Sequence, residues 1–164
     1  MRMPRSLYPI TPELFTAPRP RGNPWLEDEL LHWQRVGIRT IVCLLTPPEL
    51  AELGLTDAPH LARHLRLEYI SHPIPDRGLP PDARQIRALA AQLANQSGVV
   101  CHCRQGIGRA SLMAACILLY QGYSAVEAWT LIEEARGRPV PDTPSQRQWI
   151  HDTEAWLRMM EHFG

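Results

Sequence analysis

The sequence predicts an α/β fold, and three observations carry that prediction. Two short runs, Arg39–Leu45 and Gly98–Cys101, are apolar without alternation, the pattern of strands covered on both faces. Segments with helix-start signals follow strand-like runs repeatedly along the chain, as in a layered α/β architecture. At 164 residues the chain is expected to form one domain, residues 1–164, with room for a proper core.

Residues 1–23 are rich in Pro and Arg. Leu7–Ile10 reads as an edge strand and Leu14–Ala17 as a second strand, since prolines at this density suit edges and turns. Arg19 and Arg21 read first as solvated loop arginines and second as the border of an anion pocket. Asn23-Pro24 reads as a helix start, with Asn as the cap, Pro at the first helical position, and Glu27 and Asp28 in the first turn. Trp25, Leu26, Leu30, Trp33 and Val36 would form its apolar face, with Gly37 as its end. Strand Arg39–Leu45 follows. Thr46-Pro-Pro-Glu-Leu opens a short helix to about Leu53, and a third helix covers Ala58–Leu65. Leu67–Ser71 is another strand. His72–Pro81 holds four prolines and a glycine and reads as a stiff irregular loop carrying Asp76. Pro81-Asp82 starts a helix running to about Asn95, with Ile86, Leu89, Ala90 and Leu93 inward.

The centre of the sequence is Val99–Ser111. A buried strand ends at Cys101, an apolar helix spans Arg109–Tyr120, and a tight loop from Cys103 to Arg109 joins them, with glycines at 106 and 108. Such a loop turns backbone N–H groups toward one point and adds the positive end of a helix dipole. Arg104, Gln105, Gly106, Ile107, Gly108 and Arg109 would form this phosphate cradle. Cys103 is placed to attack phosphorus, and the planar fork of Arg109 to hold two phosphate oxygens. Beyond it, Gly122 closes a turn, Ser124 caps a helix Ala125–Ala135, Arg136–Ser145 is a loop, and a last helix runs from Thr143 or Ser145 to Met160. Trp149, Ile150, Trp156 and Leu157 are its expected core residues.

Cys-x5-Arg alone is weak evidence. With the strand before it, His102 beside the Cys, two internal glycines and the apolar helix after it, the segment His-Cys-x-x-Gly-x-x-Arg resembles the signature of the cysteine-dependent protein tyrosine and dual-specificity phosphatases. Ile74-Pro-Asp-Arg-Gly78 and the Cys loop together resemble the small single-domain members of the cyclin-dependent kinase inhibitor 3 type. The resemblance implies a three-layer fold of that family, with a central, mostly parallel sheet of about four or five strands flanked by helices and the Cys loop at a strand's C-terminal end. It also implies that Asp76, on the loop one helix and one strand upstream, is the general acid. It suggests that a Gln in Pro144–Trp149 faces the site, Gln146 being the better match and Gln148 the second.

The implied reaction is metal-independent and uses no cofactor. Cys103 attacks in line, Asp76 protonates the leaving oxygen, and a phosphocysteine forms that water then hydrolyses. Loop amides, helix dipole and Arg109 favour the thiolate and stabilise the equatorial oxygens of the transition state. His102 is expected to anchor the loop through backbone hydrogen bonds. Family members usually carry Ser or Thr after the loop Arg, whose hydroxyl helps the sulfur leave; here that residue is Ala110. Ser111 lies one helical step away, about a quarter of a circle round, which predicts slow phosphoenzyme breakdown.

Acidic and basic residues balance at 17 each, and the basic residues are all Arg. With no polybasic tail, no nucleic acid or membrane partner is expected. Leu112–Leu119, the longest apolar stretch, is too short to span a bilayer, and Met1–Arg5 lacks the apolar core of a signal peptide. A cytoplasmic monomer with reduced thiols is expected. Cys101-His-Cys103 makes a poor zinc site. Cys101 and Cys43 read as core, Cys43 with a lesser role as an oxidation partner of Cys103. The substrate classes open at this point are phosphotyrosine proteins, with phosphoserine and phosphothreonine; phosphoinositides or RNA; and, with Ala110 in mind, a phosphate-reading module of little activity.

Overall fold

A computed structural model describes residues 6–163; the Met1–Arg5 part of the Pro/Arg-rich segment lies outside them. Five strands, β1 (Tyr8–Pro9), β2 (Leu14–Ala17), β3 (Thr40–Cys43), β4 (Glu68–Ser71) and β5 (Val99–His102), form one sheet in the order β1-β2-β5-β3-β4. All neighbours are parallel except the β1–β2 pair at the edge. The helices are α1 (Leu26–Arg35), α2 (Pro47–Glu52), α3 (Ala58–His64), α4 (Ala83–Leu93), α5 (Arg109–Tyr120), α6 (Ala125–Arg136) and α7 (Pro144–Phe163). The α/β architecture with a mostly parallel sheet flanked by helices is therefore as expected.

The register places the site. β5 lies between β2 and β3, with His102 opposite Ala17 and opposite Cys43. Three strands thus end level with one another, and the loop that leaves β5 opens above them. All four residues of β2, β3 and β5 are buried, which explains why these strands are mostly apolar. β4, at the edge, is half exposed. Helix α5 is buried from Arg109 to Leu119. It packs against β2 and β5 on one side and against α4, α6 and α7 on the others, so it has no solvated stripe.

Local signals explain most helix starts. Asp82 caps α4 by accepting from the Arg84 and Gln85 amides. Ser124 and Glu127 form a capping box on α6, and Gly137, with a left-handed φ of 68°, ends it. Thr46 and Glu49 form the same kind of box on α2.

Helix α1 departs from expectation. It starts at Leu26, and Asn23 does not cap it. The Asn23 amide donates instead to Gly54 O at 3.1 Å and its Nδ2 to Asp57 at 3.0 Å, so Asn23 is held by the α2–α3 segment. Trp25 falls outside the apolar face; it is half exposed, with the Arg21 guanidinium 5.7 Å from its ring. Trp149 and Leu157 only border the core and Trp156 is half-buried, while Ile150 is buried. Trp156 lies beneath the Arg87 guanidinium at 4.1 Å. The predicted strand Gly98–Cys101 is shifted one residue onward, because Gly98 takes a φ of 69° that strands do not use.

Candidate active site

The loop from Cys103 to Gly108 leaves the C-terminal end of β5 and runs into the N-terminus of α5. Gly106 makes its sharpest bend, with a φ of 71°. A Cβ there would lie 2.6 Å from Ala17 C and 2.7 Å from Pro18 N, so both conformation and space require glycine. The loop is tied down by its own backbone. Arg19 N–H donates to Arg104 O at 3.1 Å, and Leu44 N–H donates to His102 O at 3.0 Å.

Cys103 is buried at the floor of a cleft of about 130 Å³ that it shares with Asp76, Arg109 and Asp142. Arg104, Gln105 and Ile107 of the loop also line the cleft, as does Arg77. The fold thus brings Cys103 and Arg109, at the two ends of one loop, together with Asp76 from another.

Arg109 is held by a residue that sequence reasoning passed over. Its two terminal nitrogens grip Glu49 in a fork, NH1 to Oε1 at 2.6 Å and NH2 to Oε2 at 3.0 Å. NH1 also donates to Ile74 O at 3.0 Å, and NH2 to Asp76 Oδ1 at 3.2 Å. The pair is desolvated, with the Arg109 side chain 2% and the Glu49 side chain 11% exposed. Glu49 Oε1 accepts further from Thr46 N and Thr46 Oγ1. Arg109, then the Thr46 donors, hold the Glu49 carboxyl down from 4.5 to about 2, against the opposing effect of burial. Glu49 was legible only as the third residue of a capping box. The missing signal was topological, since α2 starts just past the end of β3, beside the end of β5.

Arg104 turns toward α2, with Nε 3.4 Å from Glu49 and NH2 3.1 Å from Glu52. Arg19 and Arg21 do not line the cleft. Arg19 donates to Pro20 O, and Arg21 pairs with Glu29. His102 is buried beneath the loop, with Nδ1 3.3 Å from Cys103 O and its ring 5.8 Å from that of Trp33. It contacts the backbone of the loop and is not part of the cleft lining.

Of the two glutamines, Gln146 lies against the loop and Gln148 is exposed, bonded to Asp152. Gln146 is fully buried. Its Oε1 accepts from Asp142 N–H at 3.1 Å and Thr143 N–H at 3.3 Å, and its Nε2 donates to Gly78 O at 3.1 Å. It is a strut between the loop that carries Asp76 and the loop that carries Asp142. Asp142 is the second residue that sequence reasoning missed; it sat in a stretch read only as loop. Ser111 is buried on α5, and among the described residues its Oγ has no hydrogen-bond partner, Cys103 Sγ included. The four cysteines are free thiols; burial pushes the Cys101 thiol upward and that of Cys116 up to about 12.

The described helices include none long and apolar enough to cross a membrane.

Comparison with known proteins shows the family and the fold. The family model described as "PTP-SAK: Swiss Army Knife protein, DSP-PTPase phosphatase domain" matches residues 16–156. Cyclin-dependent kinase inhibitor 3 of Rattus norvegicus is 30% identical over 121 residues, which is 71% of this chain and 57% of that protein. The chain therefore spans a little over half the length of that relative. Among solved structures, kinase associated phosphatase superimposes with a TM-score of 0.80 at 22% identity, covering 93% of this chain and 94% of the other. Tk-PTP superimposes with a TM-score of 0.73 at 20% identity, covering 93% and 97%. The sheet order, the Cys loop above the ends of β2, β5 and β3, and the family match over most of the sequence lead to one conclusion: the chain belongs to the dual-specificity family of cysteine-dependent protein phosphatases.

Proposed function

We propose that this domain hydrolyses phosphomonoesters on proteins, phosphotyrosine first and phosphoserine and phosphothreonine also, through a phosphocysteine formed on Cys103. One observation carries the reading: a buried Cys and a buried Arg at the two ends of one loop share a cleft with a carboxylate from a different loop. The N-terminus of α5 and the loop amides suit a phosphate dianion. Cys103 attacks in line and Arg109 steadies two equatorial oxygens. Asp76, its side chain 62% exposed, protonates the departing oxygen. Water then attacks phosphorus, Asp76 takes its proton, and the thiolate leaves. No step is assigned to a metal or cofactor.

The charge around the cleft favours a single phosphate over a polyanionic headgroup. Arg104 is engaged by Glu49 and Glu52, Gln105 and Ile107 bring no charge, and Arg77 shares the cleft with the carboxylates of Asp76 and Asp142. A phosphorylated protein is the partner class that this cleft suits, with the domain acting as a monomer in the cytoplasm.

The test is rapid-mixing hydrolysis of p-nitrophenyl phosphate without added metal. A nitrophenolate burst near one equivalent, absent in Cys103→Ser, is expected. Steady release that survives Cys103→Ser would overturn the phosphocysteine, and vanadate binding without any release would turn the domain into a phosphate reader.

A further inference from the structure

The cleft holds two carboxylates, and the first step uses only one. Asp142 lines the same cleft as Cys103 and Asp76. Its backbone N–H is bound to Gln146, yet among the described residues its carboxylate has neither a hydrogen bond nor an ion pair. It lies against the last residue of the Cys loop. A Cβ at Gly108 would overlap Asp142 Oδ2 and stand 2.9 Å from Gln146 Oε1. The loop therefore leaves room for this carboxylate by having no side chain there.

Gln146 is the residue that would be expected to hold the water for the second step. Its amide is not available, because both ends are taken by backbone groups of Asp142, Thr143 and Gly78. What Gln146 does is brace the segment that presents Asp142 against the loop that presents Asp76.

We propose that Asp142 holds the water that hydrolyses the phosphocysteine; this rests on the phosphocysteine reading above. The Asp142 carboxylate accepts a hydrogen bond from one O–H of the water and stays charged. The water oxygen attacks phosphorus opposite sulfur. The new P–O bond forms as the P–S bond breaks, and the bonding pair stays on Cys103 as thiolate. The other water proton passes to Asp76, which gave up its own proton in the first step, and inorganic phosphate leaves. Asp142 is thus a water-holding residue, and Gln146 is a positioning residue that acts through it.

The experiment loads the whole chain with p-nitrophenyl [³²P]phosphate in a quench-flow instrument and dilutes it into excess unlabelled ester. The nitrophenolate burst reports formation, and the loss of acid-precipitable ³²P reports breakdown. Asp142→Ala is expected to keep the burst rate within about two-fold and to slow breakdown about ten-fold or more, a modest share of what positioning a reactant supplies. Asp142→Glu should restore most of the rate. Asp142→Ala should also slow ¹⁸O exchange between inorganic phosphate and water, the same step in reverse, with melting temperature unchanged.

Breakdown at the wild-type rate in Asp142→Ala, with the burst intact, overturns the assignment and leaves the phosphocysteine standing. Equal slowing of burst and breakdown also overturns it, since the residue would then serve binding or folding. If native protein accumulates no acid-stable ³²P and Cys103→Ser is as active, the phosphocysteine reading itself fails and Asp142 falls with it.

Discussion

Replacing Glu49 with Gln tests whether Arg109 is held from behind. Gln is close in size and keeps one acceptor oxygen, so packing is preserved while the charge is lost. In the native chain Glu49 receives three guanidinium donors, two from Arg109 and one from Arg104, and two Thr46 donors. A Gln at this position can keep an acceptor for some of these, but its NH₂ faces the Arg109 fork. Breaking a buried pair from one side costs about 3–5 kcal/mol. Arg109 retains Ile74 O and Asp76, which puts the expected loss at the lower end, about 3 kcal/mol. For a chain of this length that lowers the melting temperature by roughly 6–12 °C.

The pH dependence gives a second, independent reading of the same pair. Folding lowers the Glu49 carboxyl from 4.5 to about 2. A lowered carboxylate contributes stability that is fully present above 4.5 and lost as pH falls through about 2. The difference between native protein and Glu49→Gln should therefore close on acidification across that window. Urea unfolding of both proteins at neutral pH and at several points from pH 5 down to pH 2 measures it. A loss below about 0.5 kcal/mol at neutral pH, the scale of an exposed pair, would refute the clamp, as would a gap of unchanged size at the acid end.

Four further outcomes follow from the same geometry. Ala110→Ser should raise steady-state turnover by speeding phosphoenzyme breakdown, and unchanged or lower turnover in stopped-flow would count against a missing hydroxyl as the slow element. Asp76→Asn should reduce the burst rate on phenyl phosphate far more than on p-nitrophenyl phosphate, whose leaving group needs little proton; equal losses on both esters would remove Asp76 as the acid. Gly106→Ala should destabilise the chain by at least 1–2 kcal/mol (about the cost of left-handed strain alone), and a neutral result in urea unfolding would mean that the Ala17–Pro18 backbone yields. Ser111→Ala should leave stability unchanged or slightly raised, because it deletes a buried hydroxyl that has no partner; a loss above about 1 kcal/mol would show that this hydroxyl is bonded.

The parts of the site that were legible in the sequence are those whose cause is local. Cys103, Gly106 and Arg109 lie within one loop, and their spacing, flanked by a buried strand and an apolar helix, is itself the chemistry. Asp76 was legible only through the Cys loop, because the resemblance that the loop carries implies an acid on the loop one helix and one strand upstream; alone it reads as a turn residue. Glu49 and Asp142 were not. Glu49 already had a sufficient local explanation as part of a helix cap, and nothing local shows that the ends of β3 and β5 come level. Asp142 is three residues from Pro139 and between Pro141 and Pro144, a context that says only loop. Trp25 was misread for a related reason: its helical spacing from Leu26 and Trp33 holds only if the helix starts at Pro24, and long-range bonds from Asn23 to Gly54 and Asp57 decide otherwise.

The Asp76–Arg109 contact has a consequence for recognition. Without substrate, the terminal nitrogens of Arg109 donate to Glu49, Ile74 O and Asp76. Of these acceptors only Asp76 is on an exposed side chain. On the proposed reading an incoming phosphate does not add to an empty cation; it takes the place of an anion that the protein supplies. Binding is an ion exchange within the cleft, and its free energy is a difference between two anions on one guanidinium. A monovalent ion such as chloride gains little from the trade, whereas a dianion with three oxygens to share among the loop amides and the arginine gains much. On the proposed reading the resting site is in this way filtered by its own carboxylate, and each arriving phosphate would set Asp76 free to take up the proton that the leaving oxygen needs.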